Sequence, residues 1–105
     1  MGTEEVRNGA LWFVPGSHDM ALEAGQFDAA KFFRADEPGN AALIETAVSP
    51  LLDPGDAVFF HAKTLHSAGK NATAQVKFSL VYTYHAGSNA PLAGSRSASK
   101  PELSL

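Results

Sequence analysis

Gly55-Asp56-Ala57-Val58-Phe59-Phe60-His61-Ala62-Lys63-Thr64-Leu65-His66-Ser67-Ala68-Gly69-Lys70-Asn71 is the stretch whose reading decides the fold. A Pro54-Gly55-Asp56 turn launches a short strand, predicted over residues 57–61, in which Val58, Phe59 and Phe60 are apolar on both faces. The strand delivers His61 to its end, and a shorter strand around residues 64–67 carries His66. Asn71 then sits in a small, polar turn before residues 76–84. There Val76, Phe78, Leu80, Tyr82 and Tyr84 point one way and Lys77, Ser79, Val81 and Thr83 the other. Such period-two alternation describes a strand with one half-polar face, suited to line a barrel mouth. A histidine placed where a rigid strand meets a turn is well positioned to hold a metal, because the strand fixes the ring and the turn leaves space beside it.

Working outward, Asn8-Gly9 precedes an apolar strand predicted over residues 10–14, with Trp12 and Val14 on one face and Leu11 and Phe13 on the other. Asn-Gly is a strong hairpin signal, and the polar residues before it are poor strand formers, so the chain reads as beginning inside a hairpin. Pro15-Gly16 ends the strand, and Ser17-His18-Asp19 is placed to cap a short helical turn through residues 20–24. Residues 26–35 read as a second short helix, with Phe27, Ala30 and Phe33 on one stripe. Asp36-Glu37-Pro38-Gly39-Asn40 breaks it, and a strand is predicted over residues 43–48 with Leu43 and Ile44 at its centre. From residue 86 onward small and polar residues predominate, so residues 1–85 are expected to form the domain and residues 86–105 an extended or disordered tail. The fold class is mainly β, with one or two short helices in an insertion.

Bulk properties narrow the function. A chain of 105 residues is one domain or part of one, and its core is small enough that half a barrel would need a partner. A net charge of −3 without any run of like charges argues against a nucleic-acid surface. With no cysteine, disulfides and thiolate metal sites are excluded. No apolar run reaches the ~18 residues of a membrane helix, and no signal-peptide pattern opens the chain, so a cytoplasmic protein is expected.

The segment from Gly55 to His66, with Asn71 and the cation Lys77 beyond it, resembles the distal metal-histidine segment of the phytanoyl-CoA dioxygenase-like family. The run Asn8-Gly9-Ala10-Leu11-Trp12-Phe13-Val14-Pro15-Gly16-Ser17-His18 is similar to that family's Asn-Gly-x-Leu-x-x-x-Pro-Gly-Ser-His signature. The resemblance implies a partial double-stranded β-helix, a jelly-roll or cupin-like barrel of which this chain is the C-terminal part. It also implies an iron(II)- and 2-oxoglutarate-dependent hydroxylase acting on a small-molecule substrate.

By the same resemblance, His66 corresponds to the distal metal ligand, and Lys77 to the arginine that grips a 2-oxoglutarate carboxylate. Lysine supplies a single point charge where arginine would supply a two-pronged fork. Ser79, two residues on and on the same face, would donate a second bond; the alternative is a solvated strand lysine. The family's first histidine and carboxylate come as a His-x-Asp or His-x-Glu pair, and the chain contains neither. His18 and Asp19 are adjacent and would diverge on a strand. His61 and His18 read as structural histidines, His85 carries no motif, and no other catalytic residue is assigned. Trp12, Phe59 and Phe60 are expected in the core.

Two readings therefore stand. One is the distal part of an iron(II)/2-oxoglutarate dioxygenase, with iron(II) and 2-oxoglutarate as cofactors. The other is a truncated, inactive barrel relic without cofactor, serving as a binding or oligomeric module. A homo-oligomer, most simply a dimer, is expected in either case, because the aromatic row Phe78, Tyr82 and Tyr84 needs a cover.

Overall fold

The computed structural model describes residues 3–104. Its centre is an antiparallel pair, β1 (Leu11–Phe13) and β2 (His66–Ala68), in the register Leu11 to Ala68, Trp12 to Ser67 and Phe13 to His66. The pairing runs beyond both strands. The Gly69 amide donates to the Ala10 carbonyl at 3.0 Å, Asn8 bridges Asn71, the Ala72 amide reaches Arg7 at 2.9 Å, and the Val14 amide reaches Leu65 at 2.9 Å. On its other edge β1 meets Val48, with two 2.8 Å bonds between Phe13 and Val48. The buried apolar residues among those described, Ala10, Phe13 and Val14, all belong to or flank β1, so the core sits on this strand.

Gly9 shows why a glycine is required where the two segments meet. Its φ is +87°, and a Cβ built there would lie 2.7 Å from the Gly69 carbonyl oxygen. Any side chain would push the segments apart. The Asn-Gly pair thus closes a local turn, with the Asn8 and Ala10 amides both bonded to Glu5, and hands the chain directly to the partner segment around Asn71.

The regular structure is otherwise sparse: one short helix, α1 (Pro38–Glu45), and three 3-10 turns at Ser17–Asp19, Ala24–Gln26 and Ser97–Ser99. Little helix and a two-stranded antiparallel sheet are consistent with the mainly β class.

Several local expectations are corrected. Residues 43–48 are not a strand; most of them belong to the end of α1 and the turn after it. Glu37 caps the helix by accepting from the Gly39 and Asn40 amides at 2.8 and 3.3 Å, and Pro38 stands where its missing N–H costs nothing. Glu-Pro-Gly therefore starts a helix that Ala41, Ala42 and Leu43 sustain, instead of only breaking the one before. Residues 26–35 do not form a helix. Asp28 takes the Ala30 and Phe32 amides at 2.9 Å each, Lys31 adopts φ 68°, and Phe27 pairs with Phe33 across a tight loop with their rings 5.5 Å apart. A short acceptor side chain that captures nearby amides competes with the helix for them. The Ser17–Asp19 turn does form, but Met20 is extended, so the turn does not run on through residues 20–23.

Residues 57–61 and 76–84 carry no strand assignment. Residues 76–84 keep their alternation but make no backbone–backbone hydrogen bond among the described residues, because the strand edges of β1 are taken by β2 and Val48. A strand exists only with a partner. Phe59 and the row Phe78, Leu80, Tyr82 and Tyr84 are consequently exposed. Among the described residues no helix is long and apolar enough to cross a membrane.

Asn40 ties α1 to the loop before it. It is fully buried, its amide nitrogen donates to the carbonyls of Gln26 and Arg34 at 2.8 Å each, and its oxygen accepts from the Gln26 side chain at 2.8 Å. Replacing it strands the Arg34 carbonyl, worth about 1–3 kcal/mol when left unpaired in the interior, and takes one of two donors from the Gln26 carbonyl, which keeps the Arg34 amide at 2.9 Å. Asn40→Ala and the isosteric Asn40→Asp should therefore both lower stability by about 2 kcal/mol or more, read as a reduced urea midpoint at unchanged slope.

Candidate functional site

The pairing of β1 with β2 brings the two sequence motifs side by side, and Ser17 completes the junction. Its buried hydroxyl donates to the Val14 carbonyl at 2.8 Å and accepts the Leu65 amide at 2.8 Å. The Pro15-Gly16 turn, with Gly16 at φ 73°, takes the backbone away from the ladder, and the serine side chain carries the ladder one rung further.

His66 lies opposite Phe13 in β1. Its ring is 6.2 Å from that of Phe13 and 4.9 Å from Phe60, and the two phenylalanines are 4.8 Å apart, so the imidazole is held in an aromatic triad. The Thr64 carbonyl lies 2.8 Å from Nδ1. A carbonyl can only accept, so Nδ1 carries the proton and Nε2 presents its lone pair. This is the tautomer in which a histidine ligates a metal, with its second nitrogen oriented by a backbone carbonyl.

The other two motif histidines come together elsewhere. The rings of His18 and His61 are 5.4 Å apart. His61 Nδ1 accepts the Lys63 amide at 3.1 Å, and His18 Nε2 lies 3.4 Å from Asp19. The 3-10 turn brings the side chains of the adjacent His18 and Asp19 together, where a strand would have splayed them. Even so, among the described residues no three His, Cys, Asp or Glu side chains gather closely enough to hold a metal ion. A two-histidine, one-carboxylate iron site does not fit the donor set gathered here, of which His66 is the one member oriented as a ligand.

Lys77 and Ser79 converge on a single carboxylate, that of Glu4. The lysine ammonium donates to Glu4 Oε1 at 3.0 Å and to the Gly9 carbonyl at 2.7 Å, and the Ser79 hydroxyl lies 3.5 Å from the same Oε1. The Leu11 amide, on the edge of β1 away from β2, reaches Glu4 Oε2 at 3.3 Å. The Lys77 and Glu4 side chains are only 18% and 11% exposed, in contrast to the chain's other ion pairs. A carboxylate fits this arrangement, since one already occupies it. Glu4 itself was not legible as a site residue, because an acid in the polar run Thr3-Glu4-Glu5 has no pattern to distinguish it.

Two hollows flank these groups. One, of about 230 Å³, is apolar and lies on the β1 face carrying Trp12 and Val14, closed by Phe32, Phe33, Ile44 and Leu65. The other, of about 180 Å³, is polar and bordered by Arg7, Asn8, Thr73, Gln75 and Lys77. At the far end of the chain His85 donates through Nδ1 to the Ala86 carbonyl at 2.8 Å, and its Nε2 lies 3.2 Å from Glu102.

A family model for phytanoyl-CoA dioxygenase (PhyH) matches residues 2–79, which include both motifs, Lys77 and Ser79. The chain is 34% identical over 82 residues to the dioxygenase lolE1 of Epichloe uncinata, covering 76% of this chain and 28% of that protein. It is 31% identical over 88 residues to the dioxygenase cdmD of Talaromyces verruculosus, covering 81% of this chain and 24% of that protein. The chain thus spans about a quarter of the length of the curated relatives it matches. No solved structure matches it at a significant level.

Two measurements check the histidine environments. Nitrogen-15 correlation spectra at neutral pH should show the Nδ1–H tautomer at His66 and the Nε2–H tautomer at His61, whose Nδ1 must accept from Lys63. For His85 the Ala86 carbonyl, and then the Glu102 charge, raise the pKa above 6.5. A raised folded-state value means that the tail contact is fully present below the ordinary value and fades as pH rises through the raised one. Glu102→Gln should lower the His85 titration midpoint observed by NMR.

Proposed function

The chain belongs to the phytanoyl-CoA dioxygenase family, and from that premise we propose that it is the distal part of an iron(II)- and 2-oxoglutarate-dependent dioxygenase barrel, acting on a small-molecule substrate. The observation that carries this reading is the joint hold of Lys77 and Ser79 on one carboxylate. In such an enzyme 2-oxoglutarate is the co-substrate whose oxidative decarboxylation drives hydroxylation of a C–H bond. Lys77 would neutralise its distal carboxylate, and the Gly9 carbonyl, bonded to the same ammonium, keeps that charge aimed. Ser79 would add a neutral donor. His66 would present Nε2 to the metal, with Thr64 fixing the tautomer and Phe13 and Phe60 fixing the plane of the ring. The jelly-roll topology belongs to the same proposal.

The second reading, a module that acts by association, is favoured by one observation: the exposed apolar row of residues 76–84 has no backbone partner among the described residues. Its simplest occupant is the same strand of a second copy, paired about a two-fold axis.

Calorimetric titration with 2-oxoglutarate separates these readings. Lys77→Ala should abolish binding, and Lys77→Arg should preserve or tighten it, because arginine restores the two-pronged carboxylate contact. Absence of binding to the parent chain and to Lys77→Arg alike would refute the cofactor reading. The chain alone should hold iron(II) weakly, and His66→Ala should remove what it holds. Sedimentation at micromolar concentration should report a mass near twice that of the chain; a well-folded monomer would dismiss the second reading.

A further inference from the structure

We propose that the Leu11 amide, the Lys77 ammonium and the Ser79 hydroxyl form a carboxylate cradle for which Glu4 is a tethered competitor, so that a small carboxylate ligand binds as Glu4 is displaced. The inference rests on the reading that Lys77 and Ser79 receive a carboxylate, and adds to it a third donor and an internal rival.

The three donors come from two separate parts of the chain and bind both oxygens of one group. Their lengths are unequal. The lysine bond is 3.0 Å, whereas the amide and hydroxyl contacts are 3.3 and 3.5 Å, at or past the long end of the hydrogen-bond range. Glu4 is tied to the chain and satisfies one donor well and two poorly. A free carboxylate, without that tether, can settle closer to all three.

Two of the three donors, Lys77 and Leu11, do not depend on Glu4 for their place. Lys77 is held independently by the Gly9 carbonyl at 2.7 Å, and Leu11 is fixed by its place in β1. Glu4 itself is anchored chiefly by its amide on the Leu52 carbonyl at 2.6 Å, in a segment with no regular structure. The polar hollow that borders Lys77 gives an incoming molecule room; Arg7 on its rim is already paired with Glu5 at 2.8 Å, so the charge that receives the ligand is that of Lys77. The ligand class that fits is a small organic acid of one or two carboxylates. Because Glu4 competes from within, the apparent affinity falls by the fraction of molecules in which the cradle is free.

Glutarate is a suitable probe, because it has no oxo group and reports the cradle without iron. Added to the parent chain, it should shift the NMR signal of the Leu11 amide, which changes its acceptor. Glu4→Gln, which keeps the shape and removes the charge, should bind glutarate about tenfold more tightly by calorimetry. Glu4→Asp, whose carboxylate falls short of the cradle, should shift the affinity in the same direction and serves if Glu4→Gln folds poorly. Adding Lys77→Ala to either variant should abolish the binding. Equal glutarate affinity in the parent and in both Glu4 variants would overturn the competitor role while leaving Lys77 and Ser79 as a carboxylate site. No glutarate binding in any of them, with the Leu11 amide unmoved, would overturn that site as well.

Discussion

The structure depends on one backbone ladder, formed between residues 7–14 and residues 65–72 and lengthened by the Ser17 side chain. The candidate site is hung on it. The ladder sets Phe13 beside His66, places the Leu11 amide on the edge away from β2 where Glu4 reaches it, and brings the Gly9 carbonyl to Lys77. The close passage of Gly9 against Gly69 is the condition for this register, since a side chain at Gly9 would have to enter the backbone at Gly69. A few residues with nothing reactive about them therefore determine where the reactive ones stand.

What could be read from the sequence followed this division. Residues whose role is fixed by neighbours along the chain were legible. Pro15-Gly16 ends a strand in the structure as its composition requires, Ser17 opens a short turn, and Lys77 and Ser79 share a side of their segment because they are two apart. The mainly β character also follows from such local signals. Illegible were the features in which two local signals competed. Glu37-Pro38 is both a helix stop and a helix start, and only the carboxylate on the Gly39 and Asn40 amides decides which. Asp28 similarly overrides the stripe of Phe27 and Phe33 by drawing amides to itself.

A third class was beyond sequence reading for a different reason. The meeting of His18 with His61, and of Glu4 with Lys77, joins residues with no shared local pattern. Alternation in residues 76–84 signals a strand, yet alternation specifies only which side chains share a face. It says nothing of what supplies the hydrogen-bonding edge, and β1 has already committed its edges to β2 and Val48. Periodicity is a property of one segment, whereas a sheet is a property of two.

The Ser17–Leu65 contact has a consequence for how the chain tolerates change. It closes a loop of 48 residues, at an entropic cost of about 3.4 kcal/mol by the logarithmic rule, apart from a constant. Because the dependence is logarithmic, doubling the length of the intervening segment would add only about 0.6 kcal/mol. One extra residue inside either rung-bearing segment, by contrast, would turn every later side chain to the opposite face. Changes in loop length between Ser17 and Leu65, away from Asn40 and from the Val48 and Leu52 contacts, are thus tolerated better than those within the ladder, which are disruptive. Diversification by length is confined to the segment that holds α1 and the walls of the apolar hollow, where new shapes can be tried without disturbing the register beneath them.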